Sequence, residues 1–559
     1  MLSFIYMWFT LILLGTLIFP FSADAIEPSG ITGTFVWHQN ISEAEVAPLM
    51  DEIAGLQMDT IIIARTRSRQ SPCVDNNYVW ENYSVIPKIL EEAQKRQIGV
   101  YIGLSTAYPT CPDIFDNPLI AEQEATDMSN TVEHFLTTFP QYLSTIKGWY
   151  IPNEPSLAWH TDQTKLDNLY HYYQTVTQKI DTEQNPDLPI IVSPILSGTN
   201  NRSPAIIAQR ALELKNHGVD IQAWQDSEGT YSTPLDWTRA NPPTYQLRDY
   251  FNAISAAISP QSFWADIEIF SCTFPEPNPW ALGGCKDDWR LSNRPASISR
   301  ITNQIRHTQS ASKRVVWLQH TQMGQTDDQR QSDAPRLYNS YQAINKLSDL
   351  VYITPQSYQW RTTPITNYPD SGNELSNRLT ADPRNYFNPQ WVGIGGTARV
   401  TIDLGRSQPI RWISTHLLHY QSVGIAFPDS LQVKCSQDNT TWTDLGSWPF
   451  TLPKKTADYV FSNPEPLSAN CRYLDITLPN SKITFISEIE IVGQDPNPAP
   501  SILADANSDS LVNIVDFAIW RTEFNSQQPT LLADFNQDGI VNLTDFAIWK
   551  IEYLKTLAH

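Results

Sequence analysis

The stretch Gly148-Trp149-Tyr150-Ile151-Pro152-Asn153-Glu154-Pro155 decides the architecture. It reads as a short apolar strand halted at a proline-flanked acidic turn, and the helix-period run Thr164–Thr182 follows it. A strand leading into an amphipathic helix is a βα unit, and the same unit recurs on both sides of this one. Trp149–Ile151 is preceded by strand candidates Thr34–Trp37, Thr60–Ala64 and Gly99–Leu104. Ile190–Ser193, Asp220–Trp224, Phe263–Ile269 and Val315–Leu318 come after it. The other helical stretches are Ala44–Leu56, Ser84–Arg96, Leu119–Phe139, Pro204–His217, Thr244–Ile258, Pro295–Thr308 and Pro335–Leu347. Alternating βα units imply a parallel sheet, and their number suits a closed (β/α)8 TIM barrel over 26–350. An open doubly wound sheet would place a glycine-rich phosphate loop after the first strand. There the chain has Phe35-Val36-Trp37-His38-Gln39-Asn40, with no glycine.

Outside the barrel the pattern changes. Between 351 and 493 short alternating runs replace helical periodicity: Arg399–Leu404, Ile410–Leu418, Ser430–Ser436, Ala457–Phe461, Arg472–Leu478 and Ile486–Val492. Turn clusters such as Gln437-Asp438-Asn439-Thr440 separate them, so an all-β sandwich is expected. The proline-rich 494–502 is a stiff linker. At the other end, Met1–Phe21 is almost wholly apolar and Ala23-Asp24-Ala25 supplies a cleavage signal, so 1–25 reads as a secretory signal peptide. An uncleaved anchor is the alternative, because the apolar run approaches the ~20 residues of a membrane span. Either way the remainder is exported and is secreted or extracellular.

Composition narrows the function. The 559-residue chain carries a formal charge of −21 and no basic run, so phosphate backbones and anionic membrane surfaces repel it. Nucleic acid is therefore excluded as a partner. A hydrophobic share of 41% excludes wholesale disorder. The 18 tryptophans offer flat platforms of the kind sugars stack on, although any single one more often fills a core. Cys73, Cys111, Cys272, Cys285, Cys435 and Cys471 are even in number and form no C-x-x-C pair, which suits disulfides in an exported protein. Spacing and domain boundaries favour Cys73–Cys111, Cys272–Cys285 and Cys435–Cys471.

The tail repeats itself. Ala504–Phe524 aligns with Ala533–Tyr553 at an offset of 29 residues. Calcium takes oxygen ligands from loop positions 1, 3, 5, 7, 9 and 12. The first copy offers Asp505, Asn507, Asp509, Asn513 and Asp516, with the carbonyl of Leu511; the second offers Asp534, Asn536, Asp538, Asn542 and Asp545, with that of Ile540. Two Ca2+ ions are thus expected, and no organic cofactor. Each loop runs straight into an apolar half-helix, Phe517-Ala518-Ile519-Trp520 or Phe546-Ala547-Ile548-Trp549. Asp at the twelfth position and a helix only after each loop resemble dockerin modules, over about 503–555. Such modules attach secreted polysaccharide-degrading enzymes to cohesins on a scaffold or cell surface. The copy with Ser510 lacks the turn glycine present at Gly539, and Ile514-Val515 and Leu543-Thr544 are not the usual polar recognition pair.

The β region resembles the discoidin-like, or coagulation factor type C, module on Tyr368-Pro369-Asp370-Ser371-Gly372, Val400–Gly405, Ile410–Ile413 and Ser436–Trp442. That resemblance implies carbohydrate binding through apical loops.

Two acids stand at the C-terminal ends of barrel strands, where this architecture places its chemistry. Glu154 follows the fourth strand. Glu268 ends the seventh, in which Ala265, Ile267 and Ile269 alternate with Asp266 and Glu268, so both acids should point into the barrel. Glycoside cleavage needs two such carboxyls, ~5–5.5 Å apart in retaining enzymes. Here the chain resembles clan A glycoside hydrolases, which implies Glu154 as acid/base and Glu268 as nucleophile. It also implies that Asn153 contacts the sugar 2-hydroxyl and that Arg65 holds the nucleophile ionised. More narrowly, Gly148–Pro152 and Ala223-Trp224-Gln225-Asp226 resemble recurring blocks of a bacterial glycosidase-like family of unknown function, which makes Trp224 and Asp226 further substrate-binding candidates. The expectation is a retaining glycosidase acting on a polysaccharide; a surface adhesin that binds glycan without cleaving it is the alternative.

Overall fold

Eight parallel strands close into a barrel: β1 (Ile31–Val36), β2 (Thr60–Ile63), β3 (Gly99–Gly103), β4 (Ile146–Ile151), β5 (Ile190–Val192), β6 (Ile221–Gln225), β7 (Phe263–Glu268) and β8 (Val315–Leu318). Each pairs with its sequence neighbours, and β8 closes on β1. Around them run α1 (Glu43–Gly55), α2 (Val85–Lys95), α3 (Pro118–Thr138), α4 (Gln163–Ile180), α5 (Pro204–Asn216), α6 (Leu247–Ile258), α7 (Ile298–Thr308) and α8 (Ala334–Lys346). This computed structural model describes residues 31–69, 78–106, 118–155, 157, 162–181, 187–196, 202–226, 247–272, 293–308, 311–312, 314–318, 334–347, 350–377, 381, 385–450, 458–494, 504, 506, 512–524, 533, 535 and 541–557. The expected signal peptide lies outside them. Among the described residues, no helix is long and apolar enough to cross a membrane.

Local chemistry explains the units. At the start of α1 the Glu45 carboxylate accepts the Ser42 N–H, and at the start of α4 Asp162 accepts from Thr164 N, satisfying amides that a helix cannot pair internally. Strands are apolar on both faces, as a sheet covered by helices requires. One face gives a layer inside the barrel with one residue per strand: Phe35, Ile62, Tyr101, Tyr150, Ile191, Ala223, Trp264 and Val316. The other face gives Ile61, Val100, Trp149, Val192, Trp224 and Ile267 to the core shared with the helices. At Gly103 β3 passes so close to Ile63 and Ala64 of the next strand that a Cβ would strike their backbone.

A separate antiparallel region follows. Its strands are β9 (Leu350–Tyr352), β10 (Ser357–Trp360), β11 (Val392–Gly395), β12 (Ala398–Leu418), β13 (Ser430–Ser436), β14 (Thr443–Pro449), β15 (Asp458–Ser462), β16 (Ala469–Leu478) and β17 (Ile483–Gln494). They form one hydrogen-bonded network ordered β9-β17-β12-β16-β13-β14, with β10 and β15 on β12 and β11 on β17. Two expected strands, Arg399–Leu404 and Ile410–Leu418, are in fact one. The register slips between Asp403 and Gln408 around Gly405, whose positive φ of 78° forms the bulge. Cys435 and Cys471 are joined, with Cα atoms 5.5 Å apart. Cys73, Cys111, Cys285 and the side chain of Cys272 lie outside the described residues.

The tail contributes α9 (Ile514–Phe524) and α10 (Leu543–Leu557). They clasp reciprocally: Trp520 Nε1 donates to the Asn542 carbonyl at 3.0 Å, and Trp549 Nε1 to the Asn513 carbonyl at 3.1 Å. Phe517, Trp520, Phe546 and Trp549 stack between them.

Candidate active site

Above the inner aromatic layer, the ends of β4 to β7 become polar. Pro152 ends β4, and the next two residues divide the work. Asn153 is buried: its Oδ1 accepts from Thr106 Oγ1 at 2.8 Å, and its Nδ2 donates to Glu124 Oε2 at 3.0 Å. Glu124, a fully buried acid on α3, also accepts from Tyr172 OH at 2.6 Å. The amide of Asn153 is thus held by the protein on both sides and anchors the turn that presents Glu154.

Glu154 itself is exposed at the mouth, yet protein surrounds it beyond the first layer of solvent. Short-range access and longer-range desolvation differ in a concave site, and the second governs the carboxyl. Desolvation lifts it to about 7, against the lowering effects of a hydrogen bond from Gln225 and the charge of Arg65.

On β7 the inner face carries Trp264, Asp266 and Glu268 in successive layers. Glu268 is buried. Its backbone is clamped: its N–H donates to Asp226 Oδ1 at 3.1 Å, and its carbonyl accepts from Arg300 Nη2 at 2.9 Å and Gln304 Nε2 at 3.0 Å. Asp226 also accepts from Gln304 Nε2 at 2.6 Å. Asp226 therefore ties β6 to β7 and α7 from a fully buried position. Trp224 stands on the other side of β6 from the barrel interior. It is fully buried in the core shared with the helices, with Nε1 donating to Gln222 Oε1, and turns no face to the mouth.

Arg65 departs from expectation in its partner. Its Nε donates to both oxygens of Glu81, at 3.0 and 3.1 Å, rather than holding Glu268. His38 joins the same corner, its Nε2 lying 2.7 Å from the Glu81 carbonyl. Burial lowers its basicity and favours the neutral ring. Three groups went unnoticed in the sequence: Glu124, Gln225 and Ser193. A buried helical stripe of Ala121, Ala125, Met128 and Val132 passes through Glu124 and was the available signal for it.

A cavity of about 280 Å³ among the described residues is elsewhere. It is lined by Asp181, Asp187, Asp220 and His217 at the N-terminal ends of the strands, the face this architecture uses for stability rather than chemistry.

Residues 31–328, more than half of the chain, match the family described as domain of unknown function (DUF4434). The chain belongs to that family. Residues 503–552 match the dockerin type I domain. No curated protein matches. Three solved structures illustrate the likenesses to the DUF4434 barrel and the region after it. A Bacteroides thetaiotaomicron protein provisionally named an alpha-L-fucosidase is 16% identical, with 58% of this chain and 98% of that one covered, at a TM-score of 0.41. A family GH29 fucosidase of Ruminococcus gnavus, in complex with fucose, is 10% identical over 85% and 94%, at 0.28. The family 32 CBM of C. perfringens NanJ, in complex with galactose, is 10% identical over 26% and 98%, at 0.19. These likenesses are faint, and the chemistry of the DUF4434 mouth has to be argued from its own residues.

In the dockerin tail, Asp516 and Asp545 are fully buried at the heads of α9 and α10. Asp516 accepts from Ala506 N and Asn513 N, and Asp545 from Asn542 N, each at 2.8 Å. Asp505, Asn507, Asp509, Asp534, Asn536 and Asp538 lie outside the described residues. Among the described residues alone, no group of three or more His, Cys, Asp or Glu is placed to hold a metal.

Proposed function

We propose that this DUF4434 protein is a secreted, retaining glycoside hydrolase that cleaves O-glycosidic bonds in a polysaccharide. The observation that carries the reading is a pair of strand-end carboxyls, Glu154 just past β4 and the buried Glu268 at the end of β7, with desolvation lifting Glu154 to about 7. An acid at neutral pH must still hold its proton when the glycosidic bond breaks, and desolvation provides that. Glu268 attacks the anomeric carbon while Glu154 protonates the departing oxygen, leaving a glycosyl-enzyme. Glu154, now a base, takes a proton from the water that displaces Glu268.

The antiparallel region serves in this reading as a discoidin-like carbohydrate-binding module. The tail docks the enzyme on a cohesin-bearing scaffold or cell-surface protein. Its donors suit calcium: they are all oxygen, and two are carboxylates held in the tail core. Asp505, Asn507, Asp509 and Asp516 would hold one ion, and Asp534, Asn536, Asp538 and Asp545 the other. Calcium, when bound, neutralises carboxylates that otherwise repel one another. Chelator added to the full chain is expected to open residues 503–557 to protease while the barrel stays resistant; unchanged cleavage refutes the calcium assignment.

A hydrolysis screen over plant, bacterial and fungal polysaccharides tests the activity. On a substrate that is cleaved, Glu268→Ala is expected to abolish turnover, and azide to restore it with inverted product. Glu154→Ala is expected to cost on the order of 10²–10⁴ on unactivated glycan and much less on activated aryl glycosides. Wild-type turnover in both variants refutes the assignment. Tight glycan binding with no new reducing ends favours an adhesin.

A further inference from the structure

Asp266 sits on the inner face of β7, one layer below Glu268, and is fully buried. Its Oδ2 accepts from Ser193 Oγ at 3.0 Å, while its Oδ1 meets no partner among the described residues. Among the described residues, the charged groups that act on it most strongly, Asp226 beyond β6, Glu154 beyond β4 and Glu268 on its own strand, are carboxyls. Ionising an acid there would bury a charge among like charges, so burial holds it protonated, far above the ordinary range.

Ser193, just past β5, carries the connection onward. Its Oγ accepts from Gln225 Nε2 at 3.1 Å, and the same nitrogen lies 3.4 Å from the Ser193 carbonyl. Gln225, the last residue of β6, hydrogen-bonds the carboxyl of Glu154. Asp266, Ser193, Gln225 and Glu154 thus form one chain across four strand ends. Ser193 has a single proton to give, shared between Asp266 Oδ2 and the Ala223 carbonyl at 2.8 Å. Committing it downward leaves the Oγ lone pairs for the Gln225 amide, which fixes that amide's orientation toward Glu154. Among the described residues, Arg65, Tyr150 and Tyr173 are other ionisable groups that act on or are acted on by Glu154.

We propose that Asp266 is a positioning residue for Glu154, acting through Ser193 and Gln225. The proposal rests on the reading of Glu154 as acid/base, but its test does not require turnover. The Glu154 carboxyl is titrated in the full chain by infrared difference spectroscopy, its band identified by loss in Glu154→Gln. A hydrogen bond to the carboxylate lowers its midpoint, so loosening Gln225 raises it. Asp266→Ala and Ser193→Ala are each expected to raise the midpoint by about half a unit to one unit, and the double variant by no more than either. Asp266→Asn, neutral and able to accept from Ser193, is expected to restore the wild-type midpoint. Unshifted midpoints in the alanine variants overturn the proposal. So does a fall of about one unit in Asp266→Asn, which would mean that Asp266 acts as an anion. If Asp266→Ala does not fold, Ser193→Ala, which deletes one oxygen, decides alone. Expected shifts in a protein that cleaves no glycan uphold the positioning and sink the acid/base reading.

Discussion

Glu154 is the proposed acid/base, and its environment sets a pH dependence. Its carboxyl is raised in the folded protein, so the protonated form persists up to about pH 7 and is lost above it. If Glu154 is the acid, kcat/KM is expected to fall on the alkaline side with an apparent midpoint near 7. Gln225→Leu removes a donor to the carboxylate and is expected to move that limb upward; a limb unmoved by it, or absent, contradicts the assignment. Positions of Glu154 and Glu268 were readable because each stands at a strand end, and strand parity in β7 aims Glu268 inward. Parity gives no such guide at β6. Both faces of β6 are buried, so its sequence does not say which alternate set faces the barrel interior. Partners were still less readable. Arg65 meets Glu81, and Asn153 meets Glu124 on a different helix, encounters that only the folded loops create.

At the scale of elements, the barrel strands and helices emerged from periodicity alone because each helix has a polar face to mark its phase. The antiparallel region was harder. β14 alternates between exposed and half-buried positions and presents no apolar run, and β9 to β11 are three or four residues long. The bulge at Gly405 falls in the gap left between two expected strands, because a glycine with positive φ interrupts the alternation without ending the strand. One expectation at this scale concerns the bridge between β13 and β16. Cys435 and Cys471 are both buried and close a loop with a sequence separation of 36. In the chain-entropy picture such a closure contributes about 3–4 kcal/mol by constraining the unfolded chain. Replacing both by serine is expected to cost about that much stability, read as a lower denaturant midpoint for the transition in which this region unfolds. A free thiol at either position in unreduced protein would contradict the pairing.

Across the whole molecule, the antiparallel region keeps a core of its own but is also packed against the barrel. Trp412 and Val492 belong to the same apolar cluster as the barrel helices. Trp412 Nε1 donates to Ser340 Oγ of α8 at 3.0 Å, and Ser340 Oγ donates to the Pro464 carbonyl at 2.6 Å. At α7 the contact reaches the candidate site. Ser297 and Ser299 hydrogen-bond Glu490 of β17, while Arg300 and Gln304 of the same helix hold the Glu268 carbonyl. The antiparallel region thus braces the helix that braces the candidate nucleophile, which a module on a flexible tether could not do. Trp412→Ala removes a fully buried side chain from this junction and is expected to cost about 3–5 kcal/mol. Barrel and antiparallel region are expected to unfold in one calorimetric transition, and the variant to lower that transition as a unit. Where a substrate is cleaved, Ser299→Ala is expected to reduce kcat with KM little changed, because it loosens α7 without touching the mouth. A barrel ending at 349 that melts at the temperature of the full chain would show instead that the two regions are independent.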